Sequence, residues 1–232
     1  MGRLLRWLIW YPLLLALSAL VVVQFWYVVH IWYWVNHDPE MTAFMQARLD
    51  RMREKDPRAA LRHQWVPYER VSLHLKRAIV SAEDAKFLEH EGFDWEAIQK
   101  AHEKNVKKGR VVYGGSTISQ QLAKNLFLSG ERTWWRKAQE TAITFMIETI
   151  MNKRRILEIY LNVIEWGNGV FGAEAAARYH FGVAAASLGP EQAARLAAMV
   201  PSPRRYGPGS DTAYLQRRAE IIRARMNAAQ VP

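Results

Sequence analysis

Between Ser81 and Asp94 the chain reads Ser-Ala-Glu-Asp-Ala-Lys-Phe-Leu-Glu-His-Glu-Gly-Phe-Asp, with four carboxylates ahead of the glycine. If this stretch continues as a helix, Glu83, Phe87 and His90 share one face, because positions three and four apart are neighbours there. Phe87 would then shield Glu83 from water, and a carboxylate positioned beside a hydroxyl is a candidate proton acceptor. A solvated acidic helix with one aromatic anchor has the same letters, and this stretch alone does not separate the two readings. His90 reads as a residue that orients the loop before Gly92.

A second cluster is Gly114-Gly115-Ser116-Thr117-Ile118-Ser119-Gln120-Gln121-Leu122-Ala123-Lys124-Asn125, a glycine pair opening a helix whose Ile118, Leu122 and Leu126 form an apolar stripe. Thr117 with Gln120 fits a capping box, which is a purely structural reading. Gln120, Gln121, Lys124 and Asn125 also crowd amide and ammonium donors onto the first turns, at a helix end that attracts anions. Such a set suits a ligand made of phosphate and sugar. The third cluster, Arg132-Thr133-Trp134-Trp135-Arg136-Lys137-Ala138-Gln139-Glu140, opens a long helix to about Met151. Glu140 stands there among basic neighbours, with Ala138, Ala142 and Phe145 as the expected inward row.

The elements that must hold these clusters are helical. Leu75, Ala78, Ile79 and Ala82 fall at helical spacing behind Ser72 as a cap, so a buried helix delivers the chain to Glu83. Asp94 caps the next helix, which turns Ala97, Ile98 and Ala101 inward. Val111-Val112-Tyr113 is the one short β-like run. Lys153 to Ile164 is another helix, and the alanine-rich remainder reads as three more, punctuated by Gly182, Gly189-Pro190 and Pro201 to Pro208. The expected fold class is mainly α, with no internal repeat.

The chain of 232 residues is half hydrophobic and carries a formal net charge of +10 and no cysteine. A disulfide, a thiolate nucleophile and a thiolate metal site are therefore excluded. The charge favours an anionic partner: a membrane surface, nucleic acid or a phosphorylated ligand. From Trp7 to Val29 no residue is charged, and about 23 residues at roughly 1.5 Å each reach about 35 Å, enough to cross a bilayer core. Arg3 and Arg6 ahead of this run put the amino terminus in the cytoplasm. A cleaved signal peptide is the competing reading, but the apolar run continues past the small residues Ala16 to Ala19. The expected organisation is a cytoplasmic tip and transmembrane anchor over 1–36, a juxtamembrane linker over 37–63 containing a short amphipathic helix from Met41 to Arg53, and a soluble domain over 64–232.

Glu83-Asp84, Phe87, His90 and Gly92, then Gly114-Gly115-Ser116-Thr117-Ile118 with Gln120-Gln121, then Arg136-Lys137 with Glu140, then Lys153, Ile156-Leu157-Glu158 and Tyr160-Leu161-Asn162 resemble, in order and spacing, the motifs of the family 51 peptidoglycan glycosyltransferases. Gln64-Trp65-Val66-Pro67-Tyr68 and the single span resemble its monofunctional branch, and neither Ser-x-x-Lys nor Lys-Thr-Gly of a penicillin-binding transpeptidase occurs. The resemblance implies a lysozyme-like helical glycosyltransferase domain behind one transmembrane helix, polymerising lipid II by inverting glycosyl transfer with release of polyprenyl diphosphate. It implies Glu83 as general base. Glu140 would be a second carboxylate that assists the departing diphosphate or holds the site's ligands. Ser116, Thr117, Gln120, Gln121, Lys124, Asn125, Arg132, Arg136 and Lys137 would bind substrate, with Lys124, Arg132, Arg136 and Lys137 as cations for the diphosphate.

No protein metal site is implied; a divalent cation, magnesium or manganese, would arrive with the substrate's diphosphate. Implied partners are lipid II, the growing glycan strand and the membrane, with cell-division or elongation proteins as candidates and no nucleic acid. The implied location is the bacterial inner membrane, with the catalytic domain periplasmic. Ser119 departs from the family's usual threonine and Arg154 from a position often acidic. Arg217, Arg218, Arg223 and Arg225 read as a solvated face. A base must be ionised to accept a proton, so nearby cations are expected to offset the burial of Glu83. A lysozyme-like glycan-cleaving enzyme and a non-catalytic membrane-anchored basic scaffold are the alternatives.

Overall fold

The computed structural model describes residues 2–109, 114–128 and 133–232. The β-like run Val111–Tyr113 and Arg132 lie outside the described residues. Helix α1 (Gly2–Tyr33) carries Pro12 and, from Trp10 to Tyr33, is long and apolar enough to cross a membrane. Most of its apolar side chains are exposed, as a lipid-facing helix requires. Its last turns are different: Ile31 and Tyr27 are buried, and Tyr27 meets Phe127 edge-on at 5.0 Å.

Helix α2 (Ala43–Arg53) starts at Thr42, whose hydroxyl accepts the Met45 N–H. Met45 and Leu49 of α2 are buried in the domain, and β1 (Arg62–His63) pairs in parallel with a strand far along the chain. The segment 37–63, expected as a linker, is thus packed onto the domain. Apolar residues at i and i+4 on one face of a short helix are enough to dock it.

Among the described residues the rest is helical with one small sheet. Helix α3 (Leu73–Glu83) buries Leu75, Ala78, Ile79 and Val80 behind the Ser72 cap. Helix α4 (Trp95–Lys108) starts at Asp94, whose carboxylate accepts the Ala97 N–H at 2.8 Å. Helix α5 (Ile118–Phe127) buries the stripe Ile118, Leu122 and Leu126. It packs against α6 (Trp134–Ile150), α7 (Lys153–Val163) and α2. Strands β2 (Glu165–Gly167) and β3 (Val170–Phe171) form a tight antiparallel pair, and β3 lies between β1 and β2. Helices α8 (Ala173–Phe181), α9 (Pro190–Met199) and α10 (Ala213–Arg225) complete the domain, with α9 packed against both α3 and α10.

Helix α6 departs from expectation. Its buried row is Glu140, Ile143, Thr144 and Ile147, whereas Phe145 is 67% exposed and Ala138 is exposed. Burying Glu140 is tolerable because Arg136 and Lys137, one turn earlier, neutralise it. The two departures from family pattern find partners: Ser119 bonds to Glu148, and Arg154 pairs with Glu69 and stacks 4.7 Å from the Tyr68 ring.

Candidate active site

Glu83 is the last residue of α3, and the helix stops there because Asp84 turns away with φ −162° and ψ 74°. Phe87 and His90 therefore do not extend the Glu83 face, which corrects the expected continuous helix. The cause is the Asp84 side chain. It is buried and accepts the Ile118 N–H at 3.0 Å and the His90 Nε2–H at 2.9 Å, partners that a continuing helix would not reach. His90 Nδ1 accepts the Gly92 N–H at 3.1 Å, so the ring straps the loop 84–92 to itself. Phe87 sits in the core under the Lys153 ammonium, 4.7 Å from the ring centre.

Gln121 Nε2 donates to Glu83 Oε2 at 2.9 Å, and the same amide accepts the Tyr160 hydroxyl at 2.9 Å. The tyrosine fixes which way the glutamine faces, and the glutamine fixes the carboxylate. Arg218, from α10, stands 3.5 Å from the other carboxylate oxygen. Burial raises the Glu83 pKa, while the Gln121 hydrogen bond, Arg218 and Lys124 pull it down and Asp84 pushes it up. The cations expected to offset burial do so only in part: the net shift is upward. Burial also lowers the Lys124 pKa, against the pull of Glu140 and Glu83 and with the push of Arg136 and Lys137.

Glu140 is 4% exposed and accepts from Arg136 Nη1 at 2.6 Å and Lys137 Nζ at 2.5 Å. Its partner Arg136 lines a cleft of about 410 Å³ together with Gln121, Lys124 and Asn125 of α5, Arg48 and Arg51 of α2, and Arg204. Among the described residues, five cations line this cleft against one carboxylate, Glu165. A second cavity of about 590 Å³ is lined by Glu83, Asp84, Gly114, Gly115, Ser116 and residues of α4. Since Gln121 lines the first and is bonded to Glu83 in the second, that pair stands between the two spaces. Gly115 has no room for a side chain, because a Cβ there would lie 2.9 Å from the Ile98 Cα.

Among the expected substrate residues, Gln121, Lys124, Asn125 and Arg136 meet at the first cleft, and Ser116 and Thr117 line the second cavity. Lys137 reaches the site through Glu140. Thr117 and Gln120 also form the cap of α5, and Thr117 lines the second cavity as well. Both are buried, the Thr117 hydroxyl donates to the Gly92 backbone carbonyl and accepts the Gln120 N–H, and the Gln120 side-chain Oε1 accepts the Thr117 N–H. With Ile118 N–H held by Asp84, these first-turn amides of α5 are occupied, so the anion-attracting feature is the cleft rather than the helix end. Arg218 corrects the solvated-face reading of α10. It lies 135 positions from Glu83, and no local pattern could have joined them. Arg48, Arg51 and Arg204 also escaped the sequence reading; the signal available for the first two was their shared face on an amphipathic helix.

A buried carboxylate beside a cationic cleft, held in a helical domain behind an apolar helix, is the layout of an enzyme that moves a group off an anionic leaving group. The chain belongs to the transglycosylase family, whose match covers residues 50–227. It is 61% identical over 225 residues to the biosynthetic peptidoglycan transglycosylase of Methylobacillus flagellatus, across 97% of this chain and 98% of that protein. Against the protein of the same name from Nitrosospira multiformis the identity is 61% over 227 residues, 98% of each chain. With that from an Azoarcus species it is 58% over 236 aligned positions, spanning both chains entirely.

Proposed function

We propose that this protein is a peptidoglycan glycosyltransferase that polymerises glycan strands from lipid II, with Glu83 as the general base. The observation that carries the assignment of the base is the position of Glu83 in the cavity that adjoins a cationic cleft, joined to that cleft by Gln121. The sugar 4-hydroxyl of the incoming lipid II loses its proton to Glu83 as its oxygen bonds to the anomeric carbon of the growing strand. The bond from that carbon to the diphosphate oxygen breaks, its electron pair leaves with polyprenyl diphosphate, and the linkage inverts. A positioned base contributes about 10² to 10⁴ in rate. Lys124 and Arg136, in the first cleft, stabilise the charge that grows on the leaving diphosphate.

Glu140 fits the second of its two implied roles. Its carboxylate is engaged by Arg136 and Lys137, so it acts as a positioning residue that holds those cations. Among the described residues no group of three or more His, Asp, Glu or Cys could hold a metal ion. The donor set around the cleft is cationic, which does not fit a protein-held divalent ion; magnesium or manganese would take its ligands from the substrate's diphosphate. The apolar helix α1 suits an anchor in the bacterial inner membrane, with Arg3 and Arg6 in the cytoplasm and the domain on the periplasmic side.

The test uses the full chain in detergent with purified lipid II and, separately, with finished polymeric glycan. Glycan polymer and polyprenyl diphosphate should form from the first, and no fragments from the second. Fragments released without lipid II would favour a glycan-cleaving enzyme instead.

A further inference from the structure

The first cleft has a wall that the scheme above leaves unassigned. Helix α2 brings Arg48 and Arg51 to it, three residues apart and so on one helix face, while Lys124 and Arg136 come from α5 and α6. The two arginines differ in what they hold. Arg48 Nε donates to Glu165 at 3.1 Å and its terminal nitrogen bonds to Asn168. That carboxylate is itself buried and accepts the Gly169 N–H at 3.1 Å, so Glu165 is committed to a structural cluster. Arg51 is exposed, and among the described residues its guanidinium has no ion-pair or hydrogen-bond partner. Its backbone is fixed beside the cleft, because α2 is capped by Thr42 and docked through buried Met45 and Leu49.

A planar fork of donors set across a cleft from an ammonium and a second guanidinium matches a ligand with several phosphate oxygens. We infer that Arg51 is a ligand of the substrate's diphosphate, so that the helix joining the anchor to the domain forms one wall of the leaving-group site. This rests on the function proposed above. The chemistry it recognises, a phosphate oxygen, also occurs in the headgroups of the surrounding membrane, and the test separates the two sources.

The full-length protein in non-ionic detergent is titrated with inorganic pyrophosphate by calorimetry. Arg51→Gln should weaken binding about three- to tenfold, whereas Arg223→Gln, the same charge change on α10, should leave it unaltered. Equal affinities for the wild type and Arg51→Gln would overturn the proposal. With lipid II, Arg51→Gln should raise KM with kcat nearly unchanged, the signature of lost ligand binding; an unmoved KM would also overturn it. The KM effect should persist in nanodiscs of neutral phosphatidylcholine. An effect seen only when phosphatidylglycerol is present would assign Arg51 to a lipid headgroup and contradict the inference. If the wild type makes no polymer while Arg51→Gln still weakens pyrophosphate binding, the proposed reaction fails and the diphosphate contact stands.

Discussion

At Glu83, burial and three attractive partners oppose each other, and burial prevails. Because the protonated carboxyl cannot accept a proton, activity should fall as pH drops through a value above the ordinary carboxylate range. Arg218→Gln removes one of the groups that favour the charged form, so the acid limb of kcat/KM should move to higher pH, and Arg218→Lys should bring it back toward the wild type. A limb that stays put would leave Arg218 as mere packing. The stability sign follows from the same shift. A folded-state pKa above the unfolded value gives stabilisation that is present at low pH and lost as pH rises through the folded value. Ionised Glu83 therefore works against the fold at neutral pH, and Glu83→Gln should melt no lower than the wild type at pH 7. Thr117 offers a contrast. As a cap, Thr117→Ala should cost about 0.5–2 kcal/mol of stability and leave KM for lipid II within about twofold; a large rise in KM with unchanged melting would mark it as a substrate ligand.

The elements show where local pattern is sufficient and where it fails. The stripes of α3 and α5 and the caps Ser72, Asp94 and Thr117 follow from spacing and residue type alone, because each involves neighbours within a turn. The end of α3 does not, since Asp84 is drawn off the helix by Ile118, 34 residues on. Helix α6 has apolar residues on more than one face, so its inward row depends on what α5 and α7 present. The pairing of Glu140 with Arg136 and Lys137 was legible at i−4 and i−3, but that such a neutralised acid would turn inward was not. Helix α2 was legible as a helix, but its docking depends on distant partners on α5 and on Glu165. Met45 is fully buried there, so Met45→Ala should cost about 2–5 kcal/mol in a denaturant titration and weaken lipid II binding with it. A loss below 1 kcal/mol would mean that α2 is loosely attached.

In the whole molecule, anchor and domain are joined by packing rather than by a tether: Ile31 is buried, Tyr27 meets Phe127, and Arg155 Nε donates to the Trp34 carbonyl at 2.9 Å. The apolar helix is thereby fixed relative to the domain that carries the site. With no native cysteine, topology can be read from single introduced thiols. Arg58→Cys in intact cells should react with a maleimide that reaches the periplasm but not the cytoplasm, and Gly2→Cys should not; the reverse pattern would place the domain inside the cell. The central claim, that Glu83 takes the hydroxyl proton, is tested most directly by polymerisation of purified lipid II by the full-length Glu83→Gln protein beside the wild type. Loss of polymer by at least about 10², with melting at or above the wild type, is the predicted result. Undiminished polymer from that variant would contradict the account.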